Sequence, residues 1–253
     1  MKLTRANPPE LDAMVASPET QTNFELEPDI TFPPTDLWSD EPPLESDFHR
    51  DQIEILIHLL KRYWHDRTDF YVTGNLTIYY NEQQLRKREF RGPDFFVVLD
   101  TELKERRSWV VWGEGGKYPN LIIEILSKST ATVDKTTKKD LYQNTFRTPE
   151  YFWLDPNGLE LTGFRLGNGV YQPLVANEQG WLWSEELQLY LGITQARLRF
   201  LTPEGELIPT AAEAEQTERQ RADLEQERAD QEYQRGERLA AKLRELGVDP
   251  SEI

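Results

Sequence analysis

Apolar residues recur at regular intervals only in the middle of the chain. After Ser46 or Asp47, either of which suits a helix N-cap, apolar side chains return every three or four positions and predict a helix. The apolar face of this helix consists of Ile53, Leu56, Ile57, Leu60 and Trp64. Short β-type runs follow at 70–73, 76–80, 94–100, 109–112 and 121–126. This half of the middle region is therefore predicted to be a helix that leads into several strands.

A second helix and a second group of strands come next. The polar segment from Thr132 to Phe146 has one apolar face, which predicts a helix. After it, β-type runs lie at 151–155, 159–164, 170–175, 181–183 and 186–191, at intervals typical of hairpins. The order helix, strands, helix, strands indicates an α+β fold with flanking helices on a twisted, mixed β-sheet core.

The two ends of the chain differ from this middle in composition. Residues 1–45 are rich in proline and acidic side chains and lack periodicity, which predicts an extended arm. Residues 204–253 are dominated by Glu, Gln, Arg and Ala, which predicts a long helix from Ala211 to Gly247. A weak coiled coil and a single solvated helix are both open, because four small or apolar residues fall seven apart, at Ala222, Ala229, Gly236 and Leu243. The predicted organisation is an arm at 1–45, a folded domain at 46–203 and a charged helical tail at 204–253.

The distribution of charge decides whether DNA is an acceptable partner. The formal net charge of −16 argues against nucleic acid when it is taken alone. The excess of acidic residues lies in the ends, with −9 over 1–51 and −7 over 204–253, whereas 52–203 is neutral and 86–147 carries +4. A neutral core with a mildly basic centre leaves DNA open as a partner, although the acidic ends weaken non-specific phosphate binding.

Composition also bears on location. The chain has no cysteine, which excludes disulfides and thiolate metal sites and suits a reducing compartment. No apolar segment is long enough to cross a bilayer, and the first residues lack the apolar region of a signal peptide. We therefore expect a cytoplasmic protein with no membrane partner.

Glu124 is the first candidate for chemistry. It lies inside the run LIIEIL at 121–126, where apolar neighbours on both sides indicate a strand with two buried faces. A carboxylate there is costly unless it is paired, protonated or bound to a cation. A structural ion pair and a functional site are about equally good interpretations of this residue on its own.

Two further groups are weaker when each is taken alone. Asp94 follows Pro93 at the start of the run FFVVL, where a simple turn aspartate is the commoner interpretation. Asp134, Lys138 and Tyr142 are spaced four apart on the second helix, so that they share one face. An Asp–Lys pair at this spacing is usually a helix-stabilising surface contact.

Together these residues supply what phosphodiester hydrolysis needs. Mg²⁺ prefers oxygen ligands, commonly one or two carboxylates with waters and phosphate oxygens. Hydrolysis also needs an activated water and positive charge near the developing anion. Two acids from neighbouring strands and a lysine from the following helix would provide this set.

Four motifs between His49 and Leu191 carry a resemblance to a known family. They are Pro93-Asp94, PNLIIEILSKST at 119–130, Asp134 with Lys138 and Tyr142 at four-residue spacing, and EYFWLDP at 150–156. In this order they resemble the Uma family, described as putative restriction endonucleases, within the PD-(D/E)xK nuclease superfamily. The resemblance implies a restriction-endonuclease-like fold and an endonuclease that uses Mg²⁺ or Mn²⁺ to cut DNA.

The resemblance also implies roles for individual residues. Asp94 and Glu124 would bind the cation together with the backbone carbonyl of Ile125. The superfamily lysine two residues after the second acid is Leu126 here, and Lys138 would replace it, favoured over Lys139 by helical spacing. Asp134 and Tyr142 would support that lysine. Glu54, on the first helix, is a further candidate acid whose commoner interpretation is a surface glutamate, and His49 is expected to cap or pack.

Two other functions remain open. The chain could be a non-catalytic, nuclease-like binding or assembly module that works through its helical tail, or a metal-dependent phosphoesterase with another substrate. The tail also leaves a homodimer open, which would suit double-strand cutting. The recognition sequence, the choice between DNA and RNA and the biological role are not encoded in these patterns.

Overall fold

The architecture is taken from a computed structural model, which describes residues 34–40, 44, 46–81 and 89–247. Four α-helical segments are formed by α1 (Asp47–Tyr63), α2 (Ala131–Val133), α3 (Lys139–Leu141) and α4 (Ala211–Glu245). The described residues form twelve strands: β1 (Phe70–Thr73), β2 (Ile78–Tyr79), β3 (Phe90–Arg91), β4 (Phe95–Leu99), β5 (Trp109–Val110), β6 (Leu121–Ile125), β7 (Glu150–Asp155), β8 (Glu160–Gly167), β9 (Val170–Pro173), β10 (Leu182–Ser184), β11 (Leu189–Thr194) and β12 (Arg197–Leu201). The predicted α+β class is confirmed.

A six-stranded mixed sheet forms the centre of the fold. Its strands lie in the order β1-β4-β6-β7-β8-β9, and only β6 and β7 run parallel to each other. The remaining strands form two smaller sheets, β10-β11-β12 and β3-β2-β5. The parallel pair needs a crossover between β6 and β7, and the helix at 131–146 supplies it.

Apolar side chains cover both faces of the central sheet. One face packs against α1 and the β10-β11-β12 sheet through a cluster that includes Phe95, Ile123 and Phe152. The other face packs against the helix at 131–146 through a cluster that includes Phe96, Ile122 and Tyr142. The two sets alternate along each strand, as the pleat requires. All five residues of β6 are buried, which confirms the prediction that both of its faces are covered.

The first helix begins where its sequence predicts. The Ser46 hydroxyl accepts a hydrogen bond from the His49 backbone amide, so that Ser46 is the N-cap and Asp47 the first helical residue. Ile53, Leu56 and Leu60 are buried against the central sheet. A buried side chain on the same helix, Gln52, bonds both backbone groups of Leu198, at 2.9 Å each, and attaches α1 to β12.

The second helix is less regular than its sequence predicts. Between α2 and α3 lies a π-helical turn, Asp134–Lys138, and a second π-helical turn, Tyr142–Phe146, ends the segment. We call the whole segment, 131–146, the site helix. It ends at Arg147, which has a left-handed backbone conformation with φ 53°. The predicted helix is therefore present, but its backbone hydrogen bonds change from the α-helical to the π-helical spacing in two places.

Several strand boundaries differ from those expected. The run at 109–112 is a strand only at Trp109–Val110, and a 3₁₀ turn follows over Val111–Glu114. β3 and β12 are strands that the apolar pattern does not predict. In β12 the pattern is masked by Arg199, whose side chain is buried because it is paired with Glu213.

The structure describes only a small part of the predicted arm but most of the predicted tail. Of the arm at 1–45, only 34–40 and 44 belong to the described residues, and 37–40 lie beside the β3-β2-β5 sheet. Ser39 lies within hydrogen-bond distance of Thr77, and the Tyr79 hydroxyl lies 2.8 Å from the Trp38 carbonyl and the Asp40 carboxylate. The predicted long C-terminal helix is confirmed as α4.

Candidate active site

The register of two antiparallel strands brings the predicted acids together. β4 pairs with β6 through Phe96 opposite Ile122 and Phe95 opposite Ile123. Asp94 directly precedes β4, so that continuing this register sets it beside Glu124, on the face that meets the site helix. The Asp94 amide donates a hydrogen bond of 3.3 Å to Oε2 of Glu124.

Glu124 is fully buried, and both of its carboxylate oxygens have partners. The Tyr142 hydroxyl donates to Oε1 at 2.8 Å, and Nζ of Lys138 lies 3.0 Å from Oε2. Both partners come from the site helix. The cost of burying this carboxylate is thus offset locally, and its side chain is held in one orientation.

Lys138 bridges two buried acids. Its Nζ lies 2.8 Å from Oδ1 of Asp134 as well as 3.0 Å from Glu124, and its side chain is 16% exposed. The Asp134 side chain is almost completely buried, and the Asp134 carbonyl accepts a hydrogen bond from the Tyr151 hydroxyl. The site helix therefore contributes three side chains to one cluster, those of Asp134, Lys138 and Tyr142.

The neighbouring lysines of the site helix point to a different surface. Nζ of Lys139 lies 3.6 Å from the centre of the Phe164 ring and 5.7 Å from that of Trp153. Nζ of Lys135 lies 5.8 Å from the same Trp153 ring. Among the three, only Lys138 reaches Glu124.

Asp94 is held by backbone groups on both sides. Its Oδ2 accepts a hydrogen bond of 2.7 Å from the Ile125 amide, one residue beyond Glu124. Behind it, the Asn75 amide donates to the carbonyls of Pro93 and Asp94. Gly74 allows this close approach, since a Cβ at position 74 would overlap the Asp94 carbonyl.

Burial raises the pKa of both predicted ligand acids. Desolvation raises the pKa of Glu124 to about 8, although Lys138 opposes the shift, and raises that of Asp94 to about 6, although the Ile125 amide opposes it. Burial on its own would lower the pKa of Lys138, but Glu124 and Asp134 outweigh it and hold that pKa above its usual value. The cluster thus contains three carboxyl groups and a single charged lysine.

The donor set fits a divalent cation. The carboxylates of Asp94 and Glu124 and the carbonyl of Ile125 are hard oxygen donors gathered at the end of β6, as Mg²⁺ and Mn²⁺ prefer. Three acids against one lysine leave negative charge that a cation would balance. Within the described ranges, no group of three or more His, Asp or Glu side chains is arranged to hold a metal, so that the carbonyl would have to supply the third donor.

The structure does not bring Glu54 into this cluster. Its side chain is exposed on α1 and lines a surface cleft of about 640 Å³ with His58 and Arg197. His49, on the buried side of the same helix, does reach the end of β6, where its Nε2 lies 2.9 Å from the Ile125 carbonyl. The sequence assigns His49 to capping or packing, and no local signal links it to a residue 76 positions away.

Two arginines of the mildly basic stretch at 86–147, Arg106 and Arg107, already contact neighbouring side chains of the protein. Arg106 bonds both carboxylate oxygens of Glu114 and lies over the rings of Tyr71 and Trp109. Arg107 lies over the Trp38 ring. Arg86, Lys87 and Arg88, at the start of the same stretch, lie outside the described residues.

The chain is similar to a protein family and to a solved structure. No curated protein matches the chain. A solved structure titled as a putative nuclease belonging to DUF820 from Anabaena variabilis ATCC 29413 is 14% identical, covers 57% of this chain and 76% of its own, and has a TM-score of 0.42. In the described part of the chain, no helix has the length and apolar character that crossing a membrane requires. A family model described as "Uma2: Putative restriction endonuclease" matches residues 20–202, which confirms the resemblance seen in the sequence. The chain belongs to the Uma2 family.

Proposed function

We propose that this protein is a metal-dependent endonuclease that hydrolyses DNA phosphodiester bonds at the Asp94–Glu124 cluster. One observation carries the proposal: the buried acids Glu124 and Asp134 share a single lysine, Lys138, and the half-buried Asp94 carboxylate lies beside them on the Ile125 amide. Buried negative charge in excess is costly unless a proton or a cation neutralises it. Membership of the Uma2 family supports a nuclease, and with it DNA as the substrate class.

The bound cation would be Mg²⁺ or Mn²⁺, held by Asp94, Glu124 and the Ile125 carbonyl. Such an ion polarises a phosphoryl oxygen and lowers the pKa of bound water. The protein's own residues hold the two carboxylates in position for the ion. Asp94 is fixed by the Ile125 amide, and Glu124 by the Tyr142 hydroxyl, so that both acids are oriented before a ligand arrives.

Lys138 would act on the reacting phosphate. Asp134 holds its ammonium group at 2.8 Å, close to Glu124 and within the cluster. From there the lysine would orient the attacking water or balance the charge that develops on the phosphate. Asp134 and Tyr142 act through Lys138 and Glu124 and are positioning residues.

Cleavage of supercoiled plasmid with Mn²⁺ tests the proposal. Asp94→Asn, Glu124→Gln and Lys138→Met each remove a charge at nearly constant shape, and we expect each to lower the rate about 100-fold or more. Lys139→Met is the matched control, because it removes the adjacent lysine, which contacts Phe164 instead of the acids. It should cleave at close to the wild-type rate.

Two outcomes would overturn this assignment. One is a wild-type protein that cuts neither DNA nor RNA in Mn²⁺ while a control nuclease does. The other is equal loss in Lys138→Met and Lys139→Met, which would point to general charge effects on DNA binding.

A non-catalytic assembly module is the second candidate, and one feature favours it. Helix α4 has no buried residue and exposes apolar side chains at Leu224, Tyr233 and Leu239, and its C-cap Leu246 is exposed as well. For a module of this kind, the three site substitutions would leave function intact, whereas deletion of 205–253 would abolish partner binding. Substitution and deletion therefore separate the two functions.

A further inference from the structure

The strands β4 and β6 separate at the end that carries the site. Their paired residues end at Phe95 opposite Ile123, two residues before the end of β6. The backbone groups of Ile125 therefore have no strand partner in β4. Side chains take its place: the Asp94 carboxylate accepts from the Ile125 amide at 2.7 Å, and the His49 imidazole bonds the Ile125 carbonyl at 2.9 Å.

The contacts of His49 fix which of its ring nitrogens carries the proton. A carbonyl oxygen only accepts, so that Nε2 must donate to Ile125. On the other side of the ring, Nδ1 lies 2.9 Å from the Ser46 hydroxyl, which donates to it in the neutral ring. Because Ser46 is also the N-cap of α1 and the imidazole is 7% exposed, the ring is fixed in position and direction.

We propose that His49 is a positioning residue that aims the Ile125 carbonyl at the cation, as the third oxygen of the site. The carbonyl has two lone pairs, so that accepting from His49 leaves one for a metal ion. The hydrogen bond sets the direction of that second lone pair, while the backbone amide of the same residue donates to the Asp94 carboxylate. Outer-shell partners of this kind commonly change metal affinity by 10–100-fold. The inference rests on the proposed metal-dependent function.

The same helix offers a control for a purely structural role. Gln52 is buried three residues after His49 and makes two 2.9 Å hydrogen bonds, both to the backbone of Leu198 in β12. It attaches α1 to the fold as His49 does, but to a strand that carries no residue of the site. Loss of either side chain leaves buried backbone groups unpaired and should lower the urea midpoint of unfolding.

Titration of the metal-free protein with MnCl₂ by calorimetry provides the test, with no nucleic acid present. His49→Phe keeps the ring and removes the donor, and it should weaken Mn²⁺ binding about 10–100-fold. His49→Gln puts an amide donor near the position of Nε2 and should stay within about 3-fold of wild type. Gln52→Met should lower the urea midpoint as His49→Phe does, yet bind Mn²⁺ with wild-type affinity.

The outcomes separate this inference from the proposed function. Wild-type affinity in His49→Phe overturns the positioning role alone, and so does an equal loss of affinity in Gln52→Met. A wild-type protein that binds no Mn²⁺ overturns both. If His49→Phe does not fold, His49→Asn replaces it, because its shorter amide cannot reach Ile125, and the same 10–100-fold loss is required.

Discussion

Loss of hydration is the main cause of the shifted pKa values of the two predicted ligand acids. Asp94 and Glu124 exchange hydration for a few directed hydrogen bonds, and burial raises the pKa of each. In the unfolded chain both titrate near their ordinary values. The folded, metal-free protein therefore binds more protons than the unfolded chain does between about pH 4 and pH 8.

This difference predicts how stability depends on pH. When a folded pKa lies above the unfolded one, the contribution is complete below the unfolded pKa and is lost as the pH rises through the folded pKa. With folded values of about 6 for Asp94 and about 8 for Glu124, metal-free protein should lose stability between about pH 4 and pH 8. Each carboxyl contributes a slope of at most about 1.4 kcal/mol per pH unit. Urea unfolding at several pH values measures the decline.

Two comparisons check the assignment. Glu124→Gln should flatten the decline between about pH 6 and pH 8 and about halve its slope between about pH 4.5 and pH 6, whereas Asp94→Asn should only halve the slope below about pH 6. Saturating Mn²⁺ should reverse the trend, because the cation competes with protons for the same oxygens. A pH profile that neither substitution alters would show that these acids do not titrate as buried groups.

Single residues of the site could be predicted from sequence to different degrees. The burial of Glu124 is visible in its apolar neighbours, and the shared face of Asp134 and Lys138 follows from their spacing. The closeness of Asp94 to Glu124 depends on strand register, which the sequence suggests only by resemblance to a family. The contact of His49 with Ile125 joins a helix start to a strand end, and no periodicity encodes it.

At the scale of elements, the site helix departs most from expectation. Its two π-helical turns, Asp134–Lys138 and Tyr142–Phe146, contain Asp134, Lys138 and Tyr142, the three residues that it contributes to the cluster. π-helical turns are rare and occur often at functional sites. An apolar face predicts that the segment is helical, but it does not predict which turns have π-helical hydrogen bonds. Tyr151 contacts both turns, because its hydroxyl donates to the Asp134 carbonyl and its ring packs on that of Tyr142.

The junction of β12 and α4 shows why a strand escaped prediction. Arg199 is buried in β12 and bonds both oxygens of Glu213, at 3.0 and 2.6 Å, as well as the Ile208 carbonyl. Glu213 also completes a capping box with Thr210 at the start of α4. The hydrogen bonds from Arg199 lower the pKa of Glu213 to about 2. A buried arginine whose partner lies 14 residues away looks like a surface residue in the local pattern.

Removal of this partner should weaken the attachment of α4. Glu213→Gln leaves the Arg199 charge without its carboxylate, and we expect a loss of about 1–2 kcal/mol in the free energy of unfolding. Limited proteolysis between 202 and 212 should quicken at the same time. Glu218→Gln, an exposed change on the same helix, is the control and should alter neither measurement. Equal effects from both variants would contradict a specific role for the Arg199–Glu213 pair.

At the scale of the molecule, the packed body extends beyond the boundary that composition predicts at 203. Leu207 forms a β-bridge with Leu201, and Ile208 is buried in the cluster beneath the central sheet. Beyond Glu213, every residue of α4 is exposed or half-buried, and the 35-residue helix spans about 50 Å. Composition marks where the charged sequence starts, whereas the last contacts with the body lie about ten residues later.

Two truncations test this division. A chain that ends at Gln216 keeps Ile208, the Thr210 cap and Glu213, so that it should unfold and bind Mn²⁺ as the full chain does. A chain that ends at Pro203 loses Ile208 and leaves Arg199 unpaired, which should cost about 3 kcal/mol or more. Urea unfolding and MnCl₂ titration measure both effects, and sedimentation over a range of concentrations shows whether the removed helix held two copies together. If the chain ending at Gln216 lost its Mn²⁺ affinity, α4 would belong to the catalytic body, and the separation of site from tail would be wrong.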